Sequence, residues 1–311
     1  MNINLAIADR ARAGEALTPA ELDELASADV LSLGMLADEV RRARVGDVVT
    51  FVRVEEISGP PSRPEAATAR SRHSSPEISR AEADASGASG ATGAGEVRIC
   101  QMPATLSETI ALVEQVKAGA GSCLVTGFSL ADIVDRSWGD LAEVLTQLKR
   151  AGLDAMVEAP LDRLADAGAV LQACQDAGLK VGCLSLQKPG GVERTPMLIQ
   201  VRALAARFPW LTTIAPLSRE QSVTVPTTGY DDVRAVAMAR LALPGVPNVQ
   251  VDWSQYGPKL AQVALTFGAN DLDRVSVVND ESLGRRRSSV EDVMRNITAA
   301  GFQPRERNTG A

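Results

Sequence analysis

Apolar residues at helical spacing characterise the first 45 residues of the chain. Thr18, Pro19 and Glu21 form a helix start signal, with a capping hydroxyl, a proline at the first helical position and an acid in the first turn. The apolar positions that follow are spaced as one buried helix face: Leu22, Leu25, Leu33, Leu36 and Val40. We therefore predict a small helical cap over residues 1–45.

From residue 46 the pattern changes to short apolar runs that alternate with amphipathic stretches. Strands are predicted at 48–54, 97–100, 122–126, 154–158, 180–185, 211–215, 248–253 and 274–278. Helices are predicted at 105–117, 137–151, 162–177, 196–208, 230–243, 258–267 and 289–300. Such alternation indicates a parallel sheet covered by helices. Seven or eight units favour an α/β fold of the TIM-type (β/α) barrel class, full or partial, over residues 46–311.

A low-complexity segment interrupts this pattern directly after the first strand. Residues 58–95 hold 8 Ser, 5 Gly, 4 Pro and 9 Ala, together with the single histidine of the chain, His73. A segment of this composition buries too little apolar surface to offset the entropy of ordering it. We therefore predict a disordered loop within the barrel domain.

The overall charge excludes several classes of function. The net charge is −7 and the isoelectric point is near 5.0, whereas nucleic-acid and anionic-membrane binders depend on clustered Lys and Arg. No apolar run approaches the length of about 20 residues that spans a bilayer, and no signal-like N-terminus is present. We therefore expect a cytoplasmic protein that binds neither nucleic acid nor membrane.

Three stretches of the chain resemble one enzyme family. They are LSLGMLADEVRRARVGDVVTFVRV, YDDVRAVAMARLALPGVPNVQVDWSQYGPKLAQVALTFGANDLD and ITAAGFQPRERNT. Each is similar to the radical SAM barrel enzymes of the futalosine route to menaquinone and of deazaflavin cofactor synthesis, most closely to the aminofutalosine synthases. The resemblance implies a barrel that holds a four-iron cluster and S-adenosylmethionine.

The cluster motif of that family is missing from this chain. Its members carry C-x3-C-x2-C in the loop after the first strand, whereas residues 58–95 contain no cysteine. The four cysteines, Cys100, Cys123, Cys174 and Cys183, are too far apart in sequence to place three thiolates on one short loop. We therefore expect no cluster, no metal site and no radical activity, and we do not expect S-adenosylmethionine to bind.

Polar residues that directly follow the strands are the candidate ligand contacts, because these loops form the pocket of a parallel barrel. The ligand-binding candidates are Thr126, Gly127, Ser185, Gln187, Ser218, Gln255 and Asn279, of which Thr126-Gly127 matches the family's ligand-holding residues. Lys188 and Asp280 occupy equivalent positions. Asn270, Asp271 and Asp273 are predicted to cap the turn before the last strand rather than to bind a metal.

Three charged residues are the candidates for catalysis. Glu158 and Asp252 end two strands, and such a pair can act as general acid and base when burial separates their pKa values. The alternative is that both are ion-paired carboxylates at the rim. Arg219 can clamp a carboxylate or phosphate, or form a surface ion pair.

Two functional hypotheses follow from these residues. The first is a relative of the menaquinone-route enzymes that has lost the cluster, and that binds a small molecule or assists an intact paralogous enzyme. The second is a non-radical barrel enzyme of the lyase or hydrolase type, acting in or near menaquinone biosynthesis. The sequence leaves open which of the two applies, and so whether the chain is an enzyme.

Overall fold

The computed structural model describes residues 3–58, 94–188, 194–220, 227–277 and 289–307. Most of the predicted low-complexity loop therefore lies outside the described residues. Asn279 and Asp280, two of the candidate site residues, also lie outside them.

Eight parallel strands close into a barrel. Their bounds are β1 Val48–Ile57, β2 Glu96–Ile99, β3 Leu124–Ser129, β4 Ala155–Pro160, β5 Lys180–Leu186, β6 Thr213–Ser218, β7 Asn248–Asp252 and β8 Asp271–Ser276. The ring closes because β1 pairs with β8, Thr50 opposite Asp271, and also with β2, Val54 opposite Glu96. The structure confirms the predicted TIM-type fold and identifies it as a closed barrel.

Eleven helices are present in the described residues, most of them on the outside of this ring. Their bounds are α1 Leu5–Ala13, α2 Pro19–Ala26, α3 Val30–Val45, α4 Leu106–Gly119, α5 Leu130–Arg136, α6 Leu141–Ala151, α7 Ala167–Asp176, α8 Arg194–Arg207, α9 Gly229–Ala242, α10 Trp253–Leu265 and α11 Val290–Ala299. The sequence pattern missed α5. It also placed the start of α10 at residue 258, because Pro258 resembles a helix start and Gly257 interrupts the helix with a φ of 75°.

The first three helices pack beside the strands' N-terminal ends. Thr18 caps α2 in the predicted way, since its side chain accepts from the Glu21 amide while Glu21 accepts from the Thr18 amide. Helix α3 packs against α9. A Cβ atom on Gly34 of α3 would lie 2.5 Å from the ring of Phe267, so only glycine allows this close approach.

A ninth strand, which the sequence did not predict, supports the same end of the barrel. Strand β9, Gln303–Glu306, pairs in parallel with the first half of β1, with Val48 opposite Gln303. The second half of β1 pairs with β2. Strand β9 therefore brings the C-terminal residues of the described chain, including Arg307, beside the barrel.

The two faces of the barrel wall differ in chemistry. Val125 and Val249 point outward, and they belong to an apolar layer under the helices with Leu145, Leu148 and Leu171, all fully buried. Each such side chain stabilises the fold by about 1.5–3 kcal/mol relative to an exposed one. The inner face instead carries buried acids and arginines. In the described ranges no helix has the length and apolar character required to cross a bilayer.

Candidate active site

A cavity of about 260 Å³ opens at the mouth of the barrel, where the strands end. Its lining residues come mainly from the C-terminal ends of strands and from the segments that follow them. They are Glu56, Arg98, Ile99, Cys100, Met102, Phe128, Ser129, Asp132, Val157, Glu158, Arg219, Asp252, Gln255 and Arg274. This is the end at which parallel barrels bind their ligands.

Arg219 connects three strands across the mouth. It follows β6, and its Nε donates to Oε2 of Glu158 in β4 at 2.7 Å. Its Nη1 lies 3.4 Å from Oδ2 of Asp252 in β7, and its Nη2 lies 3.4 Å from Sγ of Cys183 in β5. The predicted acid and base candidates are therefore bridged by one guanidinium.

Helix α10 fixes the backbone that carries Arg219. The side-chain amide of Gln255 donates to the carbonyl oxygens of Ser218 and Arg219, both at 2.9 Å. The Tyr256 hydroxyl donates to the Ser218 carbonyl at 2.6 Å. Asp252 in turn caps α10 by accepting from the Gln255 amide at 2.8 Å. Helix α10 therefore fixes the turn that carries Arg219, and Asp252, which binds Arg219, caps the same helix.

A second arginine, Arg274, closes the other side of the network. Its Nη1 donates to Oδ2 of Asp252 at 3.2 Å, and its Nε donates to Oε1 of Glu56 at 2.8 Å. Arg274 has a φ of 56°, and Phe128 across the cavity has a φ of 60°. Only three non-glycine residues of the described chain have a positive φ, and two of them line this cavity. Such strained positions concentrate at binding and catalytic sites.

A buried ion-pair layer lies beneath the mouth. Arg98 of β2 binds Asp273 of β8 with two hydrogen bonds of 2.9 and 3.0 Å, and it donates to Glu96 at 2.7 Å. Thr126 of β3 also donates to Glu96. Side chains from β2, β3 and β8 thus meet inside the barrel.

The deepest layer centres on Asp271. Arg307, just after β9, donates to both of its carboxylate oxygens at 2.7 and 3.0 Å, and Thr50 and Gln250 donate to it from β1 and β7. The prediction that Asp271 and Asp273 cap a turn is therefore wrong. Both lie in β8 with their side chains inside the barrel, because the strand begins three residues earlier than the apolar pattern indicated.

The charges inside the barrel reinforce one another. Burial would lower the pKa of Arg219, but Cys183 once its thiol is ionised, and the carboxylates of Glu158 and Asp252, outweigh burial and raise that pKa above its usual range. Burial would raise the pKa of Asp273, but Arg98 holds it well below its usual range. Both groups are therefore charged at neutral pH.

Most of the predicted site residues lie at or near the mouth. Glu158, Asp252, Arg219 and Gln255 line the cavity. Gln187 and Ser218 lie at the same end of the barrel without lining it, and the Ser218 hydroxyl donates to the Gln187 carbonyl at 2.8 Å. The remaining described candidates do not line the cavity. Thr126 is below the mouth, Gly127 packs against Ile99, Ser185 is fully buried, and the Lys188 amide donates to Asp162.

Sequence reasoning missed several residues of this site. Arg98 and Asp273 face inward from within strands, whereas the predicted ligand contacts lie at the strand ends and in the segments that follow them. Glu96-x-Arg98 and Asp271-x-Asp273 are charged pairs at alternating positions, which is the period of one strand face. Alternating charges inside predicted strands would have identified them.

The four cysteines are dispersed through the structure. Cys123 precedes β3 at the opposite end of the barrel, and Cys174 is buried in α7. Cys100 is exposed at the end of β2, and Cys183 lies inside the barrel beside Arg219. Burial raises the pKa of the Cys183 thiol to about 12, so this sulfur is protonated at neutral pH.

Sequence comparisons relate the chain to a group of cofactor-biosynthesis enzymes. Residues 203–310 match the family model described as the CofH/MqnC C-terminal region. The 5-amino-6-(D-ribitylamino)uracil–L-tyrosine 4-hydroxyphenyl transferase of Methanopyrus kandleri is 26% identical over 99% of this chain and 94% of that protein. The aminodeoxyfutalosine synthase of Streptomyces coelicolor is 35% identical over 30% of this chain and 25% of that enzyme.

Solved structures share the fold. Methylornithine synthase (PylB) superposes with a TM-score of 0.62 at 15% identity, covering 97% of this chain and 98% of that one. The FeFe-hydrogenase maturase HydG from Carboxydothermus hydrogenoformans gives 0.61 at 12% identity, covering 96% and 78%. At these identities the similarity establishes the barrel fold alone.

These relatives overturn one expectation drawn from the sequence. The family that the chain resembles uses an iron–sulfur cluster and S-adenosylmethionine, so it points to these two cofactors. The expectation that the chain requires no cofactor, and that it does not bind S-adenosylmethionine, is therefore wrong. It rested on a single missing motif.

The described residues fit the two cofactors differently. They bring no three cysteines together, and no group of three His, Cys, Asp or Glu side chains in the described ranges is arranged to hold a metal ion. They do not fit a three-thiolate cluster site, and no reaction step is derived through one. S-adenosylmethionine carries a carboxylate, an ammonium and a sulfonium, and the mouth offers arginines and carboxylates that complement these charges.

The fold, the mouth and the sequence matches agree with one another. The family match begins near the end of α8 and covers β6 to β9, including Arg219, Asp252 and Asp273. Through residues 203–310 the chain is therefore similar to the CofH/MqnC C-terminal region, and the proteins it resembles include a 4-hydroxyphenyl transferase and an aminodeoxyfutalosine synthase.

Proposed function

We propose that this chain acts in menaquinone or related cofactor biosynthesis by binding a small zwitterionic molecule at the barrel mouth. S-adenosylmethionine is the first candidate, because the family points to it. The observation that carries the proposal is the charge arrangement around the cavity. Arg219 and Arg274 both donate to Asp252. Arg219 also donates to Glu158, and Arg274 also donates to Glu56.

Both signs of charge on the ligand have partners in this arrangement. A guanidinium has five N–H donors, and within the described residues Arg274 engages three of them with Glu56 and Asp252, so that two remain for a ligand carboxylate. Among the described residues Glu158 receives one hydrogen bond, from Arg219, so its carboxylate keeps acceptor capacity for a ligand ammonium. The site can therefore orient a molecule that carries both groups.

The geometry favours binding over the acid–base reaction of the alternative hypothesis. General acid–base work by two carboxylates requires one of them to hold a proton while the other does not. Here Arg219 lies between Glu158 and Asp252 and donates to both. The two carboxylates orient this arginine, and the proposal is accordingly confined to ligand binding and orientation.

Calorimetric titration of the full chain with S-adenosylmethionine, and a thermal-shift screen of futalosine-type and chorismate-derived zwitterions, test the proposal. Arg274→Ala should weaken binding about 10-fold to 100-fold, the value of one or two hydrogen bonds to a charged group. Arg53→Ala is the matched control, because Arg53 is similarly exposed but pairs with Glu306 away from the cavity lining. It should change the affinity less than twofold.

The proposal fails if no zwitterion binds the wild-type chain. It also fails if Arg274→Ala and Arg53→Ala weaken binding equally, because the mouth would then make no specific contact with the ligand.

A further inference from the structure

Exposed apolar side chains gather on one face of the N-terminal helical cap, away from the barrel mouth. Six large apolar side chains are exposed in the part of the chain that the structure describes. Three of them belong to α1 and α3: Leu5, Leu31 and Met35, which are 70%, 64% and 75% exposed. Leu31 and Met35 are four residues apart, so they lie on the same side of α3. Apolar residues that cluster on a surface in this way are typical of a protein–protein contact.

A groove of about 640 Å³ lies between α1 and α3 beside these side chains. We call it the α1–α3 groove. Its apolar lining consists of Ile3, Leu5, Ala8, Met35 and Leu36. Ala8 and Leu36 are buried and form its floor, whereas Leu5 and Met35 project from its edges. The groove therefore has room for apolar side chains of a partner.

The charged residues around the α1–α3 groove balance one another. Arg12 of α1 binds Glu39 of α3, and Arg42 binds Asp38 one turn earlier. Two arginines and two acids make the rim neutral, although the whole chain has a net charge of −7. A neutral rim gives a strongly charged partner no electrostatic advantage, whereas two copies of an acidic chain repel each other least when they meet through neutral surfaces.

Helix α3 is also complementary in charge to a second copy of itself. Asp29 caps its start, Arg42 lies in its last turn, and both residues are exposed. Asp29 lies six residues before Met35, and Arg42 lies seven residues after it. A two-fold axis that crosses the helix near Met35 therefore brings Asp29 of each copy level with Arg42 of the other. The two helix dipoles then run in opposite directions, which is the favourable arrangement.

We infer that the α1–α3 groove is the contact surface of a symmetric dimer, in which Met35 of each copy enters the groove of a second copy of this chain. A methionine side chain is flexible and fills irregular apolar gaps. Helix α3 has 16 residues and is about 24 Å long, so this face is small beside the roughly 800 Å² per partner of a standard interface. We therefore expect a dimer that dissociates at micromolar concentrations. The inference goes beyond the proposed function and does not depend on it.

Sedimentation velocity of the full chain between about 1 µM and about 100 µM tests the inference. We expect the sedimentation coefficient to rise with concentration from that of a monomer to that of a dimer. Met35→Glu should weaken association at least about 100-fold, because it places a carboxylate in the apolar contact of both copies. Met294→Glu is the matched control, because Met294 is also an exposed helical methionine but lies on α11 and does not line the groove. It should leave the association unchanged.

A pair of charge variants tests the antiparallel arrangement. Arg42→Glu places an acid level with Asp29 of the other copy and should weaken association about threefold to fivefold. Adding Asp29→Asn should restore most of this loss, because asparagine caps the helix equally well and removes the repulsion. Failure of the second substitution to restore association would overturn the two-fold arrangement about Met35.

Three further results would overturn the inference. The first is a chain that stays monomeric at about 100 µM. The second is a dimer that Met35→Glu leaves intact or that Met294→Glu weakens equally. The third is a monomer in which hydrogen peroxide oxidises Met294 but not Met35, because another segment of the same chain would then cover the groove. None of these measurements involves a ligand of the barrel mouth, so their outcome leaves the proposed function unaffected.

Discussion

Arg219 and Arg240 lie at opposite ends of the same barrel, both largely shielded from solvent, and their surroundings differ. Arg219 lies at the mouth among carboxylates, which raise its pKa despite burial. Arg240 lies in α9 near the strands' N-terminal ends and is fully buried. It donates to the carbonyl oxygens of Gly268 and Pro247 and to the amide oxygen of Asn270.

In the part of the chain that the structure describes, Arg240 binds neutral oxygens only, and this changes its electrostatics. Burial, together with the smaller effects of the nearby Arg44 and Arg41, lowers the pKa of Arg240 to about 9. Arg240 ties α9 to the turns before β7 and β8, so its role is structural. The comparison indicates that this barrel uses neutral acceptors around Arg240, where α9 meets two turns, and carboxylates around Arg219, where we propose that a ligand binds; this agrees with the division of parallel barrels into a stability face and a functional face.

The largest effect is expected at the mouth. Arg219→Met leaves Glu158 and Asp252 with too few partners in a buried site, and it should lower the free energy of unfolding by about 4 kcal/mol at pH 7. Urea denaturation measures this loss. At pH 5 part of it should return, because protonation of the carboxylates removes the uncompensated charge.

Arg163→Met is the control for this prediction. Arg163 also binds two carboxylates, those of Asp132 and Asp135, but these side chains are 44% and 61% exposed. Its loss should cost less than about 1 kcal/mol. A loss for Arg219→Met that is equally small would contradict the view that the mouth network is a buried unit.

A smaller effect without pH rescue is expected at the other end. Arg240→Met leaves the oxygens of Gly268, Pro247 and Asn270 without their donor, and it should cost about 3 kcal/mol. No carboxylate becomes unpaired, so the loss should be the same at pH 5 and pH 7. Ligand affinity of the folded fraction should be unchanged.

Arg234→Met on the same helix is the matched control. Arg234 also donates to backbone carbonyls, those of Ala26 and Ala28, but it is half-buried and water can replace it. The expected cost is about 1 kcal/mol. If the Arg240→Met variant regained stability at pH 5, the two ends of the barrel would not differ in the charge of the groups that their arginines bind.

The sequence predicted the wall of this barrel better than its interior. Strand β5 was placed correctly because Lys180 to Ser185 is an uninterrupted apolar-rich run after a glycine that ends a helix. Strand β8 was started too late because Asp271 and Asp273 appear polar in sequence, although both are buried inside the barrel. The burial of a charged strand residue can be predicted only when its ion-pair partners are known. For Asp271 and Asp273 these partners come from distant parts of the chain.

The same limitation applies to the site and the cofactors. Glu158 and Asp252 were found from their position at strand ends, but their shared contact with Arg219 depends on how three strands approach in space. The missing cysteine motif was given too much weight against the rest of the family resemblance. The domain boundaries, the cytoplasmic location and the association with a paralogous enzyme stay predictions.

Two buried thiols extend the comparison to alkaline pH, where the smallest effect is expected. Burial raises the pKa of Cys174 in the apolar layer and of Cys183 at the mouth to about 12 each. In the unfolded chain the same thiol has a pKa near 9, so it ionises at a lower pH than in the folded protein. The folded state therefore loses stability as the pH rises from about 9 to about 12. Each thiol should cost about 1.4 kcal/mol between pH 8 and pH 10.

Cys174→Ala should therefore reduce the alkaline loss by about 1.4 kcal/mol, as measured by urea denaturation at pH 8 and pH 10. Cys123→Ala is the control, because Cys123 is only partly buried, and it should leave the alkaline loss nearly unchanged. Cys183→Ala should reduce the loss as Cys174→Ala does, because at both sites burial is the main cause of the raised pKa. A much smaller reduction for Cys183→Ala would mean that Arg219 stabilises a thiolate at the mouth, which the neutral surroundings of Cys174 cannot do.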